Sequence, residues 1–477
     1  MSALETYFAS FAENIIGRRK SFQSPFGPRE LVYADWTATG RAYRPIEEYM
    51  QQQVLPFVAN THTDTTVTGT LMSAYYAEAR QTIKNSTGGR EDDILIFCGS
   101  GMTAAVNKLQ RLMGLRIPQG IGIYLKSGMT IEKLIDEALR PVVFITHMEH
   151  HSNHISWLET IADVEIIGRG EDGNVDLDSL QELLERYKSR KNKIAAVTAC
   201  SNVTGIQTPF HAIAALMHRH NGLCFVDFAT SAPYIRINMH PAATEESLDA
   251  IYFSPHKFLG GPGTPGILIV NDKICNNTVP DHPGGGTLLY SNPWKEHVYV
   301  SSIEEREDGG TPPFIGAIKA AACFRLKEEI KVEHILAREK EMLNIVFERL
   351  SSIAGIELLE KNCRERLSII SFIVQDGHYD TFIKILNDRF GIQARGGCSC
   401  AGTYGHYLLT ITTDASHQVL QELRAGNTAA KPGWVRLSFH PCMSNDELNY
   451  IMDSVELTAL NFKRWNRTYL LPAQEEY

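Results

Sequence analysis

From about residue 90 onward, short apolar runs alternate with stretches of helical periodicity, which confines the chain to a mostly parallel sheet covered by helices on both faces. Ile94-Leu95-Ile96-Phe97, Pro141-Val142-Val143-Phe144-Ile145, Ile194-Ala195-Ala196-Val197, Leu223-Cys224-Phe225-Val226 and Ala250-Ile251-Tyr252-Phe253 are the strand candidates. Each closes in a polar or glycine-rich turn. Ligands of open α/β sheets collect at the carboxyl ends of the strands, so chemistry is expected in the turns Cys98 to Thr103, Met148 to His151, Ser201 to Gly205, Asp227, and Ser254 to Lys257. Further on, Ala317 to Leu350 has helical periodicity with many charges and is expected to link two domains. The runs Leu367 to Val374 and Trp434 to Phe439, with a helical stretch Tyr379 to Phe390, predict a smaller α+β domain. At 477 residues and 43% hydrophobic content, the chain exceeds what one compact core holds. The expected division is an N-terminal segment 1–30, a large domain 31–325, and a small C-terminal domain 326–477 that carries the loop around Cys400.

Charge and cysteine usage narrow the function classes. The 55 acidic against 46 basic side chains give a net charge of −9, which disfavours a nucleic-acid surface. The basic run Arg186 to Lys193 reads as the solvated end of a helix. Nine cysteines without regular spacing read as reduced thiols in a cytoplasmic protein. No apolar run is long enough to span a bilayer, and Met1 to Glu30 lacks a secretory apolar core, so no membrane partner is expected.

Lys257 follows one strand candidate and Asp227 ends the one before it. A lysine and an aspartate at one sheet edge suit pyridoxal phosphate: the amine forms a Schiff base with the aldehyde, and the carboxylate keeps the pyridine nitrogen protonated so that the ring takes up electrons. Gly99 to Thr103 is a turn leading into the helical stretch Ala104 to Met113. Its backbone N–H groups and hydroxyls suit a phosphate, although standing alone it reads better as an ordinary strand-to-helix turn. Gly261 to Gly266 fits the G-x-G-x-x-G spacing but holds two prolines and leads into an apolar run, so it is rejected as a dinucleotide site. The histidines at 147, 150, 151 and 154 match no zinc pattern and have no nearby C-x-x-C, and no metal is expected. His150 stands at a strand end where an imidazole can stack on a pyridine ring and move protons. In Arg395-Gly396-Gly397-Cys398-Ser399-Cys400-Ala401, the arginine favours a thiolate, and a nucleophile is preferred to a structural or metal-binding C-x-C. Arg436, within an apparent strand, calls for an anion. A substrate carboxylate and a salt bridge to Glu447 or Asp446 both satisfy it.

Taken together, these motifs resemble the class V aminotransferase-like family of pyridoxal-phosphate enzymes, in particular its group II cysteine desulfurases and selenocysteine lyases. The match runs from about Tyr33 to Leu457. Tyr33 to Thr39 looks like Y-L-D-x-A-A-T, and Gly101 to Asn107 is similar to the phosphate turn G-T-T-x-x-I-N. Met148 to Asn153 resembles M-E-H-H-A-N, Ser201 to Gly205 resembles S-N-V-x-G, and Ser254 to Lys257 resembles S-G-H-K. The resemblance implies a fold-type I transferase, a mostly parallel α/β domain with a smaller C-terminal α+β domain. It implies that Gly101, Met102, Thr103, Ser254 and His256 meet the phosphate, His150 stacks on the ring, Asn202 and Thr230 lie by the ring oxygen, Asp227 holds the ring nitrogen and Lys257 forms the Schiff base. Gly309 to Pro312 is similar to A-G-T-P, which implies that Thr311 reaches the phosphate held by a second subunit, hence a homodimer. Arg395 to Ala401 resembles R-x-G-x-x-C-A and places sulfur on Cys400 rather than Cys398, with Arg436, Arg395 and Asn202 on the substrate.

This sequence departs from the family pattern in several places. Thr230 stands for a glutamine, Pro255 for a glycine and Met102 for a threonine, and the segments Leu112 to Arg140 and Gly402 to Gly433 are long. The expected activity is conversion of L-cysteine to L-alanine with a persulfide on Cys400, passed to a possible sulfur-acceptor protein. The alternatives are another cofactor-dependent reaction of the family (aminotransferase, epimerase or lyase) and a non-catalytic binding role.

Overall fold

The computed structural model describes residues 2–470 except 62, 64, 127–128, 131–133 and 376. These residues form two compact units, neither continuous in sequence: Arg44–Cys200 with Thr208–Glu329, and Met1–Tyr43 with Ser201–Gln207 and Ile330–Tyr477.

The larger unit is built on seven strands: β1 (Asp93–Cys98), β2 (Val142–Thr146), β3 (Asp163–Ile167), β4 (Lys193–Thr198), β5 (Leu223–Asp227), β6 (Ala250–Phe253) and β7 (Gly266–Asn271). Their order across the sheet is β1-β7-β6-β5-β4-β2-β3. From β6 to β3 every pairing is parallel, while β7 runs antiparallel to both neighbours. Strands β2, β4 and β6 are buried at every position, the continuous apolar pattern of strands covered on both faces. The edge strand β3 is only half-buried along most of its length. One face packs on helix α1 (Met102–Leu112), which lays Ala105, Val106, Leu109 and Leu112 against Ile96, Leu268 and Tyr252, and on Trp157 of helix α2 (His151–Leu158). Helices α3 (Leu177–Arg186) and α4 (Phe210–Arg219) complete the βα alternation.

The antiparallel strand β7 has a steric requirement at its start. Gly266 pairs with Cys98, and a Cβ on it would lie 2.2 Å from the Gly101 carbonyl oxygen. Only glycine lets this strand enter beside the β1–α1 turn. The G-x-G-x-x-G match thus ends on the first residue of a strand and opens no helix.

The charged stretch 317–350 folds as two helices, α5 (Phe314–Ile330) and α6 (Val332–Ser352), separated by Lys331 at φ +67°. A lysine carries no breaker signal, so periodicity alone runs through this point. The smaller unit holds an antiparallel sheet of β8 (Ile356–Leu358), β9 (Ile369–Val374), β10 (Arg395–Gly397) and β11 (Trp434–Ser438) in the order β8-β9-β11-β10. Helix α7 (Tyr379–Phe390) connects β9 to β10, and the long helix Asn445–Leu470 follows β11. Near the chain start, Val32–Tyr33 pairs in parallel with Ile392–Gln393. Among the described residues, no helix is long and apolar enough to cross a membrane.

Candidate active-site groups

The candidate residues fall into two groups, one in each unit. In the larger unit, β1 is followed by Gly99, which takes φ +42°, and Gly101 caps α1. A Cβ on Gly101 would lie 3.0 Å from Ser254 Oγ and 3.7 Å from both Cδ2 and Nε2 of His256, so the missing side chain keeps this turn open beside the β6 end. The Met102 N–H donates to Ser254 Oγ at 2.8 Å, tying the two turns together. Thr103 shares a hydroxyl hydrogen bond of 2.7 Å with Ser152. Pro255–Lys257 forms a single 3₁₀ turn, which the proline at its first position favours. Burial and the neighbouring Lys257 charge push the His256 imidazole down to about 4, so it is neutral at pH 7 and keeps one N–H to donate.

Asp227 ends β5 and is 3% exposed. Its Oδ1 accepts the Ala229 N–H at 2.7 Å, while burial lifts its carboxyl to about 6 against the pull of that bond and the Lys257 charge. Thr230 is buried three residues on. His150 caps α2, its Nδ1 accepting the Ser152 N–H at 3.1 Å. A neutral ring therefore carries its proton on Nε2.

Sequence reasoning passed over Glu149, although it precedes His150 and stands four residues from Asn153. Its Oε1 accepts from Thr146 Oγ1 at 2.6 Å and from the Thr198 N–H at 2.8 Å, and its Oε2 accepts from Asn153 Nδ2 at 2.7 Å. The carboxyl thus joins the ends of β2 and β4. Burial, reinforced by the Asp227 charge and opposed by these hydrogen bonds, raises it to about 8. Asn153 Oδ1 in turn accepts from Tyr252 OH at 2.6 Å, which braces the edge carrying His150, Asp227 and Lys257. Thr311 is exposed in the turn before α5, where the Gly310 N–H donates to Gly285 O at 2.9 Å. Among the described residues, Thr311 makes no side-chain hydrogen bond to this group.

In the smaller unit, Arg395 and Arg436 are direct partners across the β10–β11 pair, so their side chains share a face. Arg436 is 2% exposed and donates from Nη1 to Asn202 O at 2.9 Å and from Nη2 to Asp35 Oδ1 at 2.6 Å. Arg395 is half-exposed and donates from Nε to Asp35 Oδ2 at 3.0 Å. The salt-bridge partner of Arg436 is thus Asp35 rather than Glu447, which pairs with Arg18. Burial holds the Arg436 guanidinium below its ordinary value, with Asp35 opposing.

Cys400 is exposed and lies within electrostatic reach of both arginines. Ser399 and Cys400 take φ +51° and +56°, two successive non-glycine residues in the left-handed region. Such residues cost on the order of 1–2 kcal/mol each and persist only where their surroundings hold them. Here Asn202 Nδ2 donates to Ser399 O at 2.6 Å, and Trp434 Nε1 donates to Ser399 Oγ at 3.2 Å. Among the described residues, Asn202 Oδ1 and Arg436 Nε are buried without a hydrogen-bond partner. The long segment after Cys400 forms helices Gly402–Leu408 and Thr413–Arg424, and the second buries none of its residues.

Residues 136–451 match the family model described as aminotransferase class-V. A probable cysteine desulfurase of Halalkalibacterium halodurans is 29% identical over 395 residues, covering 81% of this chain and 88% of that protein. A probable cysteine desulfurase of Staphylococcus aureus is 26% identical over 379 residues, covering 78% and 84%. The fold is shared with solved cysteine desulfurases. One, from Thermococcus onnurineus NA1, has a TM-score of 0.71 at 22% identity and covers 90% of this chain and 95% of its own. Another, CsdA from Escherichia coli, has a TM-score of 0.71 at 18% identity and covers 95% and 98%.

Proposed function

The chain belongs to the class-V aminotransferase family, whose enzymes depend on pyridoxal phosphate, and on that premise we propose that it is a cysteine desulfurase. The observation that carries the cofactor is the set of groups gathered at the carboxyl edge of one sheet. The Gly101 turn lies against Ser254 and His256, and a buried Asp227 carboxylate feels the charge of Lys257. The pattern fits the group chemically: open backbone, hydroxyls and a neutral imidazole for a phosphate, a buried anion for a protonated ring nitrogen, and an amine for an aldehyde. Bound there, the cofactor supplies the aldehyde that Lys257 captures and a ring that stores electrons.

The chain's own residues divide the remaining work. Met102, Thr103, Ser254 and His256 hold the phosphate, with Thr230 and Asn202 near the ring oxygen and His150 over the ring. Arg436 and Arg395 hold the substrate carboxylate. The Lys257 amine receives the Cα proton, and His150 moves protons at the ring face. The Cys400 thiolate forms an S–S bond as the substrate Cβ–S bond breaks, and the carbon fragment leaves as L-alanine after protonation. Asn202 and Trp434 hold Ser399, the residue before Cys400, and so orient the thiol for this attack. In the same reading the protein is a cytoplasmic homodimer, with Thr311 serving the phosphate of the second subunit and the persulfide passing to an acceptor protein.

The test is product analysis of wild type and Cys400→Ser with L-cysteine and a reductant, quantifying alanine and sulfide together. Equal alanine and sulfide from wild type, with turnover at least about a hundredfold lower in the variant, supports the reading. Full turnover in Cys400→Ser moves the reaction to a lyase, aminotransferase or epimerase that has no use for the thiol.

A further inference from the structure

We propose that Glu307 and Asp308 are positioning residues that present Thr311 to the cofactor phosphate of the second subunit. The turn changes character within a few residues. Glu307 and Asp308 are 5% and 9% exposed, Gly309, Gly310 and Thr311 are exposed, and the chain is buried again at Pro312. Each of the two buried carboxylates is met by a different helix. Glu307 Oε2 accepts from Lys108 Nζ at 2.6 Å and from the Asp281 N–H at 3.2 Å, and Lys108 lies on α1, the helix that begins with the phosphate turn. Asp308 Oδ2 accepts from Tyr76 OH at 2.8 Å and from Arg80 Nη2 at 2.7 Å, both on the helix Val67–Ser86.

The cations around the turn are matched by carboxylates. Lys108 and Arg111 face Glu307 and Asp281, while Arg80 and Lys84 face Asp308 and Glu304, so neither set is built to take up an anion. A buried ion pair adds little net stability, because desolvation offsets its attraction. Placed on two consecutive residues, such pairs fix the direction in which the chain leaves them. The glycines then let it run close to its neighbour. A Cβ on Gly309 would lie 2.1 Å from His282 O, and Gly310 takes φ +83° and donates its N–H to Gly285 O at 2.9 Å. Thr311 is the first side chain beyond the clamp, and it faces outward. Through Lys108, the hydroxyl offered to the second subunit is referred to the same helix that carries this chain's own phosphate turn.

The assignment rests on the proposed pyridoxal-phosphate homodimer. Its test compares the affinities of the full-length protein, stripped of cofactor, for pyridoxal phosphate and for pyridoxal, which lacks the phosphate, each read from the absorption of the lysine-bound aldehyde. Glu307→Gln is expected to weaken binding of pyridoxal phosphate by about tenfold and to leave that of pyridoxal unchanged. Thr311→Ala should do the same. The double variant should bind no more weakly than Thr311→Ala alone, because Glu307 acts through Thr311, which a merely structural role would not produce. An unchanged affinity in Glu307→Gln overturns the assignment, as do an equal loss for both ligands and losses that multiply in the double variant. If Glu307→Gln does not fold, Asp308→Asn is carried through the same cycle with Thr311→Ala and is decided by the same outcomes. Wild type that binds neither ligand removes the cofactor reading and this assignment with it, whereas failure of the assignment alone leaves wild-type binding intact. Binding is read without turnover, so alanine and sulfide production decide the desulfurase reading separately.

Discussion

The side chains around Lys257 and those around Cys400 are assembled by different means. Lys257, Asp227 and His150 each sit where a strand of one sheet ends, and the edge between them is braced from below by Glu149 and Asn153. Their placement follows from strand register. The Cys400 group has no such base. Its thiol rides on two left-handed residues, its arginines face each other across a strand pair, and it is held by Asn202, Trp434 and Asp35, drawn from distant parts of the sequence. In the proposed reading, a cofactor that serves many reactions is carried by the edge of the large sheet, while the thiol that selects one reaction lies in a loop that can change without disturbing it.

Three substitutions sharpen this contrast, beginning with the strongest. Lys257→Ala is expected to lower turnover more than about a thousandfold and to abolish the visible absorption of lysine-bound cofactor, while leaving alkylation of Cys400 by iodoacetamide unchanged. A parallel fall in alkylation would mean that the two groups are not independent. Asp227→Asn has an effect of opposite sign on stability and on cofactor binding. The Asp227 carboxyl is raised from 3.8 to about 6, so its contribution to apoprotein stability is complete below about pH 4 and is lost as pH rises through about 6. The apo variant should therefore gain on wild type by on the order of 3 kcal/mol between pH 4 and pH 7, read from denaturant unfolding, yet bind the cofactor more weakly. A flat difference across that range would remove Asp227 as a buried charge awaiting a partner. Asn202→Ala is the mildest. It leaves the Ser399 carbonyl without its side-chain donor, at about 1–3 kcal/mol, and should slow persulfide formation roughly tenfold, with a smaller loss of cofactor affinity through the ring oxygen. If cofactor affinity falls by more than persulfide formation slows, Asn202 belongs with the sheet-borne group.

The sheet-borne group was the more legible of the two. Strand runs, their terminal turns and the α7 stretch Tyr379–Phe390 could be read because each is a local pattern of a few residues. The antiparallel entry of β7 beside β1 was not readable, since it depends on a backbone approach at Gly266 that leaves no trace beyond one glycine among many. The break at Lys331 likewise depends on packing rather than on the residue type. Around Cys400, the sequence marked the arginines and the thiol, but it offered Glu447 and Asp446 as the acidic partners of Arg436 because they are near in sequence. The partner is Asp35, which a backbone bridge to Ser438 brings alongside. Such a pairing between distant segments has no periodicity to betray it.

The discontinuity of the units has a consequence for the order of folding during synthesis. The unit carrying Lys257 draws on nothing beyond Glu329, whereas the unit carrying Cys400 combines Met1–Tyr43 with Ser201–Gln207 and with residues after Ile330. On the ribosome, the first can complete its sheet while the second still waits for β11. The stretch that contains Asp35 must therefore wait for Ile392–Gln393 and then for Ser438 before its long-range pairing is complete, which leaves it open to chaperones, proteases and mispairing while the nucleophile's unit is still being made.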